Sequence, residues 1–262
     1  MQTALIDGDV VVYVAGFAAE ECWYETEDGE IHSTMTQAKL HCDRIGADPT
    51  KISMRVEAEP KSHALRLVKN ILLRVSDRTR AKELKVFLSG SNNFREGVAV
   101  TRPYKGNRSG RKPHHYQNIR DYLVDICGAE IINDMEADDA LGINQTSDSC
   151  ICTIDKDLDM VEGYHYNFRT DSFYNITEGL AVKHFYKQLL TGDTVDNIQG
   201  VKGVGIKTAE KILNPLTDAE DMFWAVHDEY VKKYDRPMEV MLEMGRLLWI
   251  LREEGGMWEP KY

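Results

Sequence analysis

The sequence lacks any hydrophobic run that approaches the roughly 18–20 apolar residues of a transmembrane helix. It begins MQTALIDGDVVVY with no basic leader, which predicts that no signal peptide is present. The five cysteines are scattered and form no CxxC pair, so we expect a reducing compartment, the cytoplasm. The remaining composition, 42% hydrophobic and 29% charged, is that of an ordinary globular protein with one large domain or a core and a small appendage.

Positive charge is scarce as well, since 32 Lys and Arg against 43 Asp and Glu give a net charge of −11. Taken alone, this balance argues against a nucleic-acid partner. A carboxylate metal site, however, contributes negative charge that bound cations offset, so the placement of the basic residues matters more than their sum. Two stretches, 102–112 and 202–211, are locally basic.

Short apolar runs alternate with amphipathic segments along most of the chain. Strands are predicted at 3–6 and 84–88, with an amphipathic helix over 61–80 between them. This order indicates an α/β fold. Further expectations are a hairpin turn at Asp28-Gly29, a helix over 115–127, a hairpin of 164–168 with 172–176, and helices over 178–190, 219–234 and 238–251; residues 35–59 give no clear pattern.

The densest group of acids lies between residues 135 and 159. A helix is predicted over 136–145 and a short buried strand over 149–154, with acids at the start of the first and after the end of the second. These acids are Glu136, Asp138, Asp139, Asp155 and Asp157. Ligands of open α/β sheets gather outside the carboxyl ends of strands. A solvated acidic face is the alternative for either cluster alone.

The spacing within each cluster gives the acids a common direction. Asp155 and Asp157 are two residues apart, so on an extended chain both side chains point the same way. Glu136 and Asp139 are three apart and share a helix face. Neighbouring carboxylates repel, so a cleft that gathers them needs a cation, and oxygen ligands favour Mg²⁺ or Mn²⁺ over Zn²⁺.

Two further sets of acids repeat this layout. Asp7-Gly8-Asp9 follows the strand at 3–6, which makes Asp7 a candidate ligand; the alternative is a turn-forming Asx residue. Asp193 and Asp196, three apart near a helix end, could supply a third carboxylate pair, and the alternative is a pair of helix-end turn acids.

The stretch 90–113 is rich in Gly, Asn, Arg and Lys and is too long for an ordinary connection. Its cations and one aromatic residue suit a phosphate backbone and an unstacked base. They are Arg102, Tyr104, Lys105, Arg108, Arg111 and Lys112. A solubilising surface loop is the alternative.

The string GVKGVGIKTA at 200–209 predicts a tight glycine hairpin between two short helices. Its backbone amides, the start of the following helix and two lysines suit a phosphodiester. The candidate DNA-binding residues are Gly200, Lys202, Gly203, Gly205, Lys207 and Thr208. A nucleotide-binding loop is the alternative, although no strand leads into it and the Walker pattern fails.

Taken in order, DGD, YKGNR, EADD, DKD, GDTVDN and GVKGVGIKTA resemble the flap endonuclease/5′–3′ exonuclease family over about residues 4–213. The pattern is most similar to the small replication exonucleases of bacteriophages. The resemblance implies a PIN-like, mixed and mostly parallel sheet flanked by helices, with a helical arch and a helix–hairpin–helix element. The nuclease core would span 1–176 with the arch at 90–115, and a helical region at 177–262 would hold the hairpin motif near 190–213.

The resemblance also implies roles for individual residues. Lys105 and Arg108 would contact the scissile phosphate beside Tyr104, and Gly200–Thr208 would grip duplex phosphates, often with a K⁺ ion. Six acids would bind a metal ion directly or support the ligands that do, namely Asp7, Glu136, Asp138, Asp139, Asp155 and Asp157. Asp193 and Asp196 would complete a second site. The sequence departs from the family at Ser89, where an aspartate is usual; Asp9 could compensate.

The implied activity is two-metal hydrolysis of phosphodiesters, with 5′→3′ removal of nucleotides from duplex DNA or RNA·DNA ends and cutting of 5′ flaps. A phage-encoded protein of this kind would process primers in the host cytoplasm. The alternatives are a PIN-type ribonuclease with the same acids and a non-catalytic, structure-specific DNA-binding protein. A nucleotide-binding switch is remote because the chain has no phosphate loop.

Overall fold

The computed structural model describes residues 1–107 and 110–262. The chain separates into two compact units. The first unit comprises residues 1–10, 73–111 and 123–262, and the second comprises 11–72 and 112–122. The division expected at residue 176 coincides with neither set of boundaries. Arg108 lies outside the described residues, so its predicted role stays a prediction.

The strands, in chain order, are β1 (Thr3–Asp7), β2 (Glu20–Glu25), β3 (Ile31–His32), β4 (Ser53–Ala58), β5 (Glu83–Ser89), β6 (Glu130–Ile132), β7 (Ser149–Cys152), β8 (Gly163–Asn167), β9 (Ser172–Ile176), β10 (Gly192–Asp193) and β11 (Ile198–Gln199). The α-helices are α1 (Gly8–Ala18), α2 (Met35–Ile45), α3 (Lys61–Thr79), α4 (Phe94–Val98), α5 (Tyr116–Asp125), α6 (Ala137–Asn144), α7 (Glu178–Thr191), α8 (Ile206–Leu213), α9 (Ala219–Val231) and α10 (Pro237–Leu248). Short 3₁₀ helices cover Pro49–Lys51 and Asp157–Met160.

A six-stranded sheet forms the centre of the first unit, in the order β6-β5-β1-β7-β8-β9. All neighbouring strands are parallel except β8 and β9, which form the expected antiparallel hairpin. Ile6 pairs with both Val86 and Cys152, so β1, β5 and β7 end at the same edge of the sheet. The predicted fold class, a mixed and mostly parallel sheet with flanking helices, is confirmed.

The core of this unit explains why its strands are continuous apolar runs. Leu5 and Ile151 belong to one buried cluster together with Leu141, Leu189 and Phe223 from three helices. Strands of a parallel sheet are covered by helices on both faces, so they cannot alternate polar and apolar residues. The same packing fixes the strand ends at which the acids lie.

The second unit contains a three-stranded antiparallel sheet in the order β3-β2-β4. The turn between β2 and β3 contains Asp28-Gly29, as predicted, and Gly29 has a positive φ of 83°. Residues 35–59, which the sequence did not resolve, form α2, a 3₁₀ turn and β4. Ala38, His41 and Cys42 of α2 are buried.

The segment expected to be a helical arch has little helix where it is described. Between residues 90 and 107, and from 110 to 115, only α4 (Phe94–Val98) is helical, and turns and extended chain make up the rest. In the part of the chain that the structure covers, no helix is both long enough and apolar enough to cross a membrane.

Candidate metal centre

Carboxylates from four separate stretches of the first unit converge at the carboxyl edge of the sheet. A cavity of about 600 Å³ is lined by Glu136, Asp138, Asp155, Asp157, Asp193 and Asp196. Asp7, at the end of β1, lies beside them: it accepts a hydrogen bond of 2.8 Å from the Thr153 hydroxyl, which itself accepts from the Asp155 backbone N–H at 3.0 Å. The structure therefore brings these seven predicted acids together.

Local turns, rather than an extended chain, hold Asp155 and Asp157. The strand β7 ends at Cys152, and Asp157 already begins a 3₁₀ helix, so the predicted extended spacing is wrong. The Asp157 backbone N–H donates to Asp155 Oδ1 at 2.9 Å, the geometry of an Asx turn. Both carboxylates nevertheless line the cavity, because the turn directs them there.

Asp139 has the supporting role of the two that the sequence left open for it, rather than that of a direct metal ligand. It is fully buried, and its two oxygens accept from Arg95 Nη1 at 2.6 Å and Arg95 Nη2 at 2.8 Å. The backbone N–H groups of Glu136 and Leu251 donate to the same carboxylate at 3.0 Å each. With its oxygens bound in this way, Asp139 fixes the start of α6 and is not free to bind a metal ion directly.

Arg95 also connects the Asp139 carboxylate to the carboxyl end of α10. Its Nε donates to the Leu247 carbonyl at 2.9 Å, and its Nη2 donates to the Trp249 carbonyl at 2.7 Å. The guanidinium is buried, and it also lies 4.6 Å from the centre of the Phe94 ring. The end of α10 and the residue after it are therefore bound to α6, which begins after Glu136 and contains Asp138.

The electrostatics of the cavity favour a bound cation. Burial, followed by neighbouring acids, raises the pKa of Asp157 to about 7, and burial likewise raises the pKa of Asp7 to about 7. Burial and the nearby carboxylates Asp7 and Asp155 raise the pKa of Asp138 well above its ordinary value, and burial raises the pKa of Asp155. Without a cation, these acids resist being ionised together.

The donor set fits a hard divalent ion such as Mg²⁺ or Mn²⁺, because the described residues that line the cavity offer carboxylate, amide and hydroxyl oxygens and include no His or Cys. Gln188 adds to this set. Its Nε2 donates to Asp157 Oδ1 at 2.6 Å, whereas its buried Oε1 has no hydrogen-bond partner within the described part of the chain. This buried oxygen is therefore available to bind a cation, or a water molecule coordinated to one.

Tyr104 and Lys105 contact the acids at the cavity directly. The Tyr104 hydroxyl is 3.0 Å from Glu136 Oε2 and 2.9 Å from Asp196 Oδ2. The Lys105 ammonium pairs with Glu136 and lies 3.7 Å from Asp196 Oδ2. Lys105 has a positive φ of 55°, and its backbone N–H donates to the Asp196 carbonyl at 2.9 Å. The chain thus places its own cation against the acids.

The other predicted basic residues are less closely placed. Arg102 and Arg111 are exposed in the first unit, and Lys112 belongs to the second, where its ammonium lies 4.4 Å from the centre of the Tyr116 ring. Their predicted contacts with DNA stay predictions.

The glycine hairpin has the tight backbone that the sequence predicted, with one correction. It is preceded by the two-stranded ribbon of β10 and β11 rather than by a short helix. A side chain at Gly200 would meet the Gly192 backbone nitrogen at 2.3 Å, so this crossing requires glycine. Gly203 has a φ of 88°, and Gly205 is the N-cap of α8 and also lines the acid cavity. Lys202, Lys207 and Thr208 are exposed around this hairpin.

Comparison with known proteins gives an independent view of this fold. No protein-family model matches the chain. Among solved structures, the T5 D15 protein co-crystallised with metal ions superposes with a TM-score of 0.55 at 16% identity, covering 96% of this chain and 89% of that one. The bacteriophage T5 D15 flap endonuclease in a complex with DNA and metal ions gives 0.53 at 13% identity, covering 95% and 99%.

A sequence relative points the same way. DNA polymerase I of Deinococcus radiodurans is 28% identical over 188 residues, which cover 63% of this chain and 19% of that protein. The resemblance to the flap endonuclease/5′–3′ exonuclease family is confirmed. The chain spans only about a fifth of the length of the polymerase, so the activities of the whole polymerase are not assigned to this chain.

Ser89, the departure from the family pattern, has a structural role here. Its hydroxyl accepts a hydrogen bond of 2.9 Å from the Ala137 backbone N–H at the start of α6. Its own backbone N–H donates to Asp9 Oδ2 at 2.9 Å, so the Asp9 carboxylate is bound to the end of β5, and compensation for Ser89 by Asp9 stays a prediction. Asp9 is also close enough to Asp7 to contribute to its raised pKa.

Sequence reasoning missed three residues that shape the site. Thr153 connects Asp7 to Asp155, Gln188 holds Asp157, and Arg95 holds Asp139. The position of Thr153, two residues before Asp155 at a strand end, was an available signal. Gln188 and Arg95 had none, because a polar residue on a helix and an arginine in a basic loop are ordinary on a solvent face.

Proposed function

We propose that the chain is a metal-dependent 5′→3′ exonuclease and flap endonuclease that hydrolyses phosphodiesters of duplex DNA and RNA·DNA hybrids. One observation carries the proposal: acids distant in the sequence line one cavity beneath Tyr104 and Lys105. A surface rich in acid would not draw four segments together or bury them, since crowding carboxylates costs free energy that a bound cation offsets. The family resemblance supports the reaction class.

The proposed ligands divide by position. Asp7, Glu136, Asp138 and Asp155 would hold one ion, and Asp157, Asp193 and Asp196 would contribute to a second. Bound Mg²⁺ or Mn²⁺ would supply Lewis acidity and lower the pKa of a coordinated water below that of bulk water. The Thr153 hydroxyl donates to Asp7, and the Gln188 amide donates to Asp157. These hydrogen bonds orient the two carboxylates as ligands.

Lys105 has a second proposed role once a substrate arrives. Its ammonium would leave Glu136 and Asp196, which then hold cations, and would contact the scissile phosphate, where it neutralises developing negative charge. Arg108 would assist from the same segment, and Tyr104 would orient the substrate from its place over the acids. The glycine hairpin would grip the duplex away from the cut, with a K⁺ ion at its backbone.

The cellular setting is part of the proposal. A phage-encoded enzyme of this type would remove primers and process ends during DNA replication in the host cytoplasm. A PIN-type ribonuclease and a non-catalytic DNA-binding protein remain the competing functions. Release of mononucleotides or cut flaps from 5′-labelled DNA, sensitive to EDTA, supports the proposal; cleavage confined to single-stranded RNA, or binding without cleavage, contradicts it.

The decisive variant is Asp155→Ala. We expect it to abolish Mg²⁺-dependent cleavage of 5′-flapped DNA while the protein still binds the duplex, because the hairpin is left intact. Asp77→Ala, which removes an exposed acid from α3, is the matched control and should cleave normally. Mg²⁺-dependent cleavage that persists in Asp155→Ala would remove this residue from the centre.

A further inference from the structure

The second unit contains a cluster of metal-ligating side chains that the proposed nuclease function does not use. Glu30 in the β2–β3 turn, His32 of β3 and His41 of α2 each offer a ligand atom, and these atoms all lie within 4.8 Å of one another. Unlike the carboxylate cavity of the first unit, this group contains two imidazoles. It lies at a cleft of about 1120 Å³ that is also lined by Gln37 and Arg44.

His41 is held as a metal-binding histidine is usually held. The side chain is buried, and its Nε2 lies 2.8 Å from Asp28 Oδ2. Asp28 is itself held in place, because its Oδ1 accepts a hydrogen bond of 2.6 Å from the Thr26 hydroxyl. The Asp28 carboxylate oxygen accepts the proton of Nε2, so Nδ1 presents its lone pair.

The groups that face Nδ1 indicate a position for a cation. Glu30 Oε2 lies 3.1 Å from Nδ1, and the Arg44 guanidinium reaches the same nitrogen at 2.8 Å. A carboxylate facing an unprotonated nitrogen is unfavourable unless a positive charge lies with them. Here the positive charge is the guanidinium of Arg44. This residue is exposed, and its long flexible side chain can move into solvent.

His32 supplies the second, independent observation. Its ring lies 4.9 Å from that of His41, centre to centre. Its Nε2 is buried and has no hydrogen-bond partner among the residues that the structure describes. Buried ring nitrogens in proteins normally have a hydrogen-bond partner or bind a ligand. This nitrogen, next to a histidine that a carboxylate orients, is therefore available to bind a metal ion.

We propose that Glu30, His32 and His41 bind a transition-metal ion of the zinc class, with Asp28 positioning His41. Two imidazoles and one carboxylate suit Zn²⁺, whereas the all-oxygen cavity of the first unit suits Mg²⁺ or Mn²⁺. The ion would join the β2–β3 turn to α2, because its ligands come from both. Arg44 occupies the place of the ion and competes with it.

The test uses Co²⁺ as a spectroscopic substitute for Zn²⁺, added to the full chain in excess Mg²⁺ so that the carboxylate cavity is filled. We expect one equivalent of Co²⁺ to give the visible absorption of a site with nitrogen ligands, and Zn²⁺ to abolish it. His32→Gln and His41→Gln should each lower the Co²⁺ affinity by at least about tenfold. His63→Gln removes a histidine of the same unit outside the cluster and is the matched control.

Arg44→Ala separates a metal site from an ordinary ion-pair cluster. Removing the competing guanidinium should strengthen Co²⁺ binding, whereas in an ion-pair cluster the same change only loosens His41. Circular dichroism of each variant checks that it folds, and if His41→Gln unfolds, His32→Gln and Glu30→Gln decide the question. Co²⁺ binding that is absent from the wild type, or unchanged in His32→Gln and Glu30→Gln, overturns the proposal. None of these measurements depends on nuclease activity.

Discussion

Two adjacent aspartates with different surroundings show how the site is divided between chemistry and support. Asp138 faces the cavity with the other acids, whereas Asp139 is fully buried and paired with Arg95. A buried charge that loses its partner is costly because the remaining charge is left without water or a counter-charge. Asp139 therefore stabilises the fold, and Asp138 is available for a cation.

Asp139→Asn keeps the shape of the side chain but leaves the buried Arg95 guanidinium without an opposite charge. We expect the free energy of unfolding to fall by about 3–5 kcal/mol, measured by urea denaturation. Glu239→Gln breaks the Arg236–Glu239 pair, which is about three-quarters exposed, and should change stability by less than about 1 kcal/mol. Similar losses for the two variants would show that the Arg95 pair contributes nothing beyond a surface contact.

Lys105→Ala tests the proposed contact with the phosphate. We expect single-turnover cleavage of bound 5′-flapped DNA to slow by about 100-fold or more, because one electrostatic donor to the reacting group is lost. Duplex affinity should fall by less than about tenfold, since one of many phosphate contacts is removed. Lys82→Ala, at an exposed lysine before β5, is the control. Equal losses in rate and affinity would make Lys105 an anchor only.

At the scale of whole elements, the sequence predicted those whose periodicity and boundaries were both clear. The strands β1, β5 and β7 and the helices α3 and α7 lie within two residues of expectation, because apolar runs or a regular apolar stripe mark them. The structure adds a cap to α7, since the Thr177 side chain accepts from the Leu180 N–H. The convergence of the acids could be predicted, because several of them follow strands that end at the same edge of the sheet. The turn at Asp157 did not, since an Asx bond between two acids leaves no trace in hydrophobic periodicity.

The sequence does not predict contacts between segments that are distant along the chain. Residues Pro103–Asn107 lie along the loop after α7: Asn107 donates to the Thr194 carbonyl at 2.7 Å and Asn197 donates to the Pro103 carbonyl at 2.9 Å. Asparagines in a loop read as turn formers in the sequence, and their long-range partners appear only when the chain is folded. For the same reason, Asp139 and Asp138 looked equivalent.

Gly203→Val tests the hairpin as a DNA-binding element. The residue has a φ of 88°, where a β-branched side chain costs about 1–2 kcal/mol or more, so the hairpin should change shape. We expect a higher Kd for long duplexes, measured by fluorescence anisotropy, with little change in the cleavage rate of bound substrate. Gly255→Val introduces the same kind of strain at a φ of 71° outside the hairpin and should leave the Kd unchanged. An unchanged Kd in Gly203→Val would refute the role of the hairpin.

For the molecule as a whole, the excess of negative charge is concentrated where it can bind ions. The acids of the first unit that line one cavity account for a part of the net charge of −11, and the Glu30, His32 and His41 cluster belongs to the second unit. A negative total is therefore compatible with a nucleic-acid partner, because the charge at the site is that of the acids and their ions together.

Stability should depend on pH and Mg²⁺ jointly. In the folded state the pKa of Asp157 is raised to about 7 by burial and neighbouring acids, whereas in the unfolded chain it has its ordinary value of 3.8. The folded state thus keeps a proton that the unfolded state has lost. This contribution to stability is complete below about pH 4 and is lost as the pH rises through 7.

We expect the metal-free protein to lose stability relative to Asp157→Asn between pH 5 and pH 8, by an amount on the order of a few kcal/mol. Mg²⁺ at about 100 times its Kd should restore about 2.7 kcal/mol to the wild type at pH 8. Urea midpoints at both pH values, with Mg²⁺ and with EDTA, measure the two effects. A wild type and variant that respond identically to pH would show that Asp157 is not protonated in the fold.

The hydrogen bonds from Arg95 to the Leu247 and Trp249 carbonyls, and from the Leu251 N–H to Asp139, have a practical consequence for deletion mutants. A protein shortened to residue 246 would still possess every proposed ligand, yet it would uncover an ion pair that supports the start of α6. Loss of cleavage after such shortening would then report damage to the support beneath the acids, and would be no evidence that the removed residues touch the substrate.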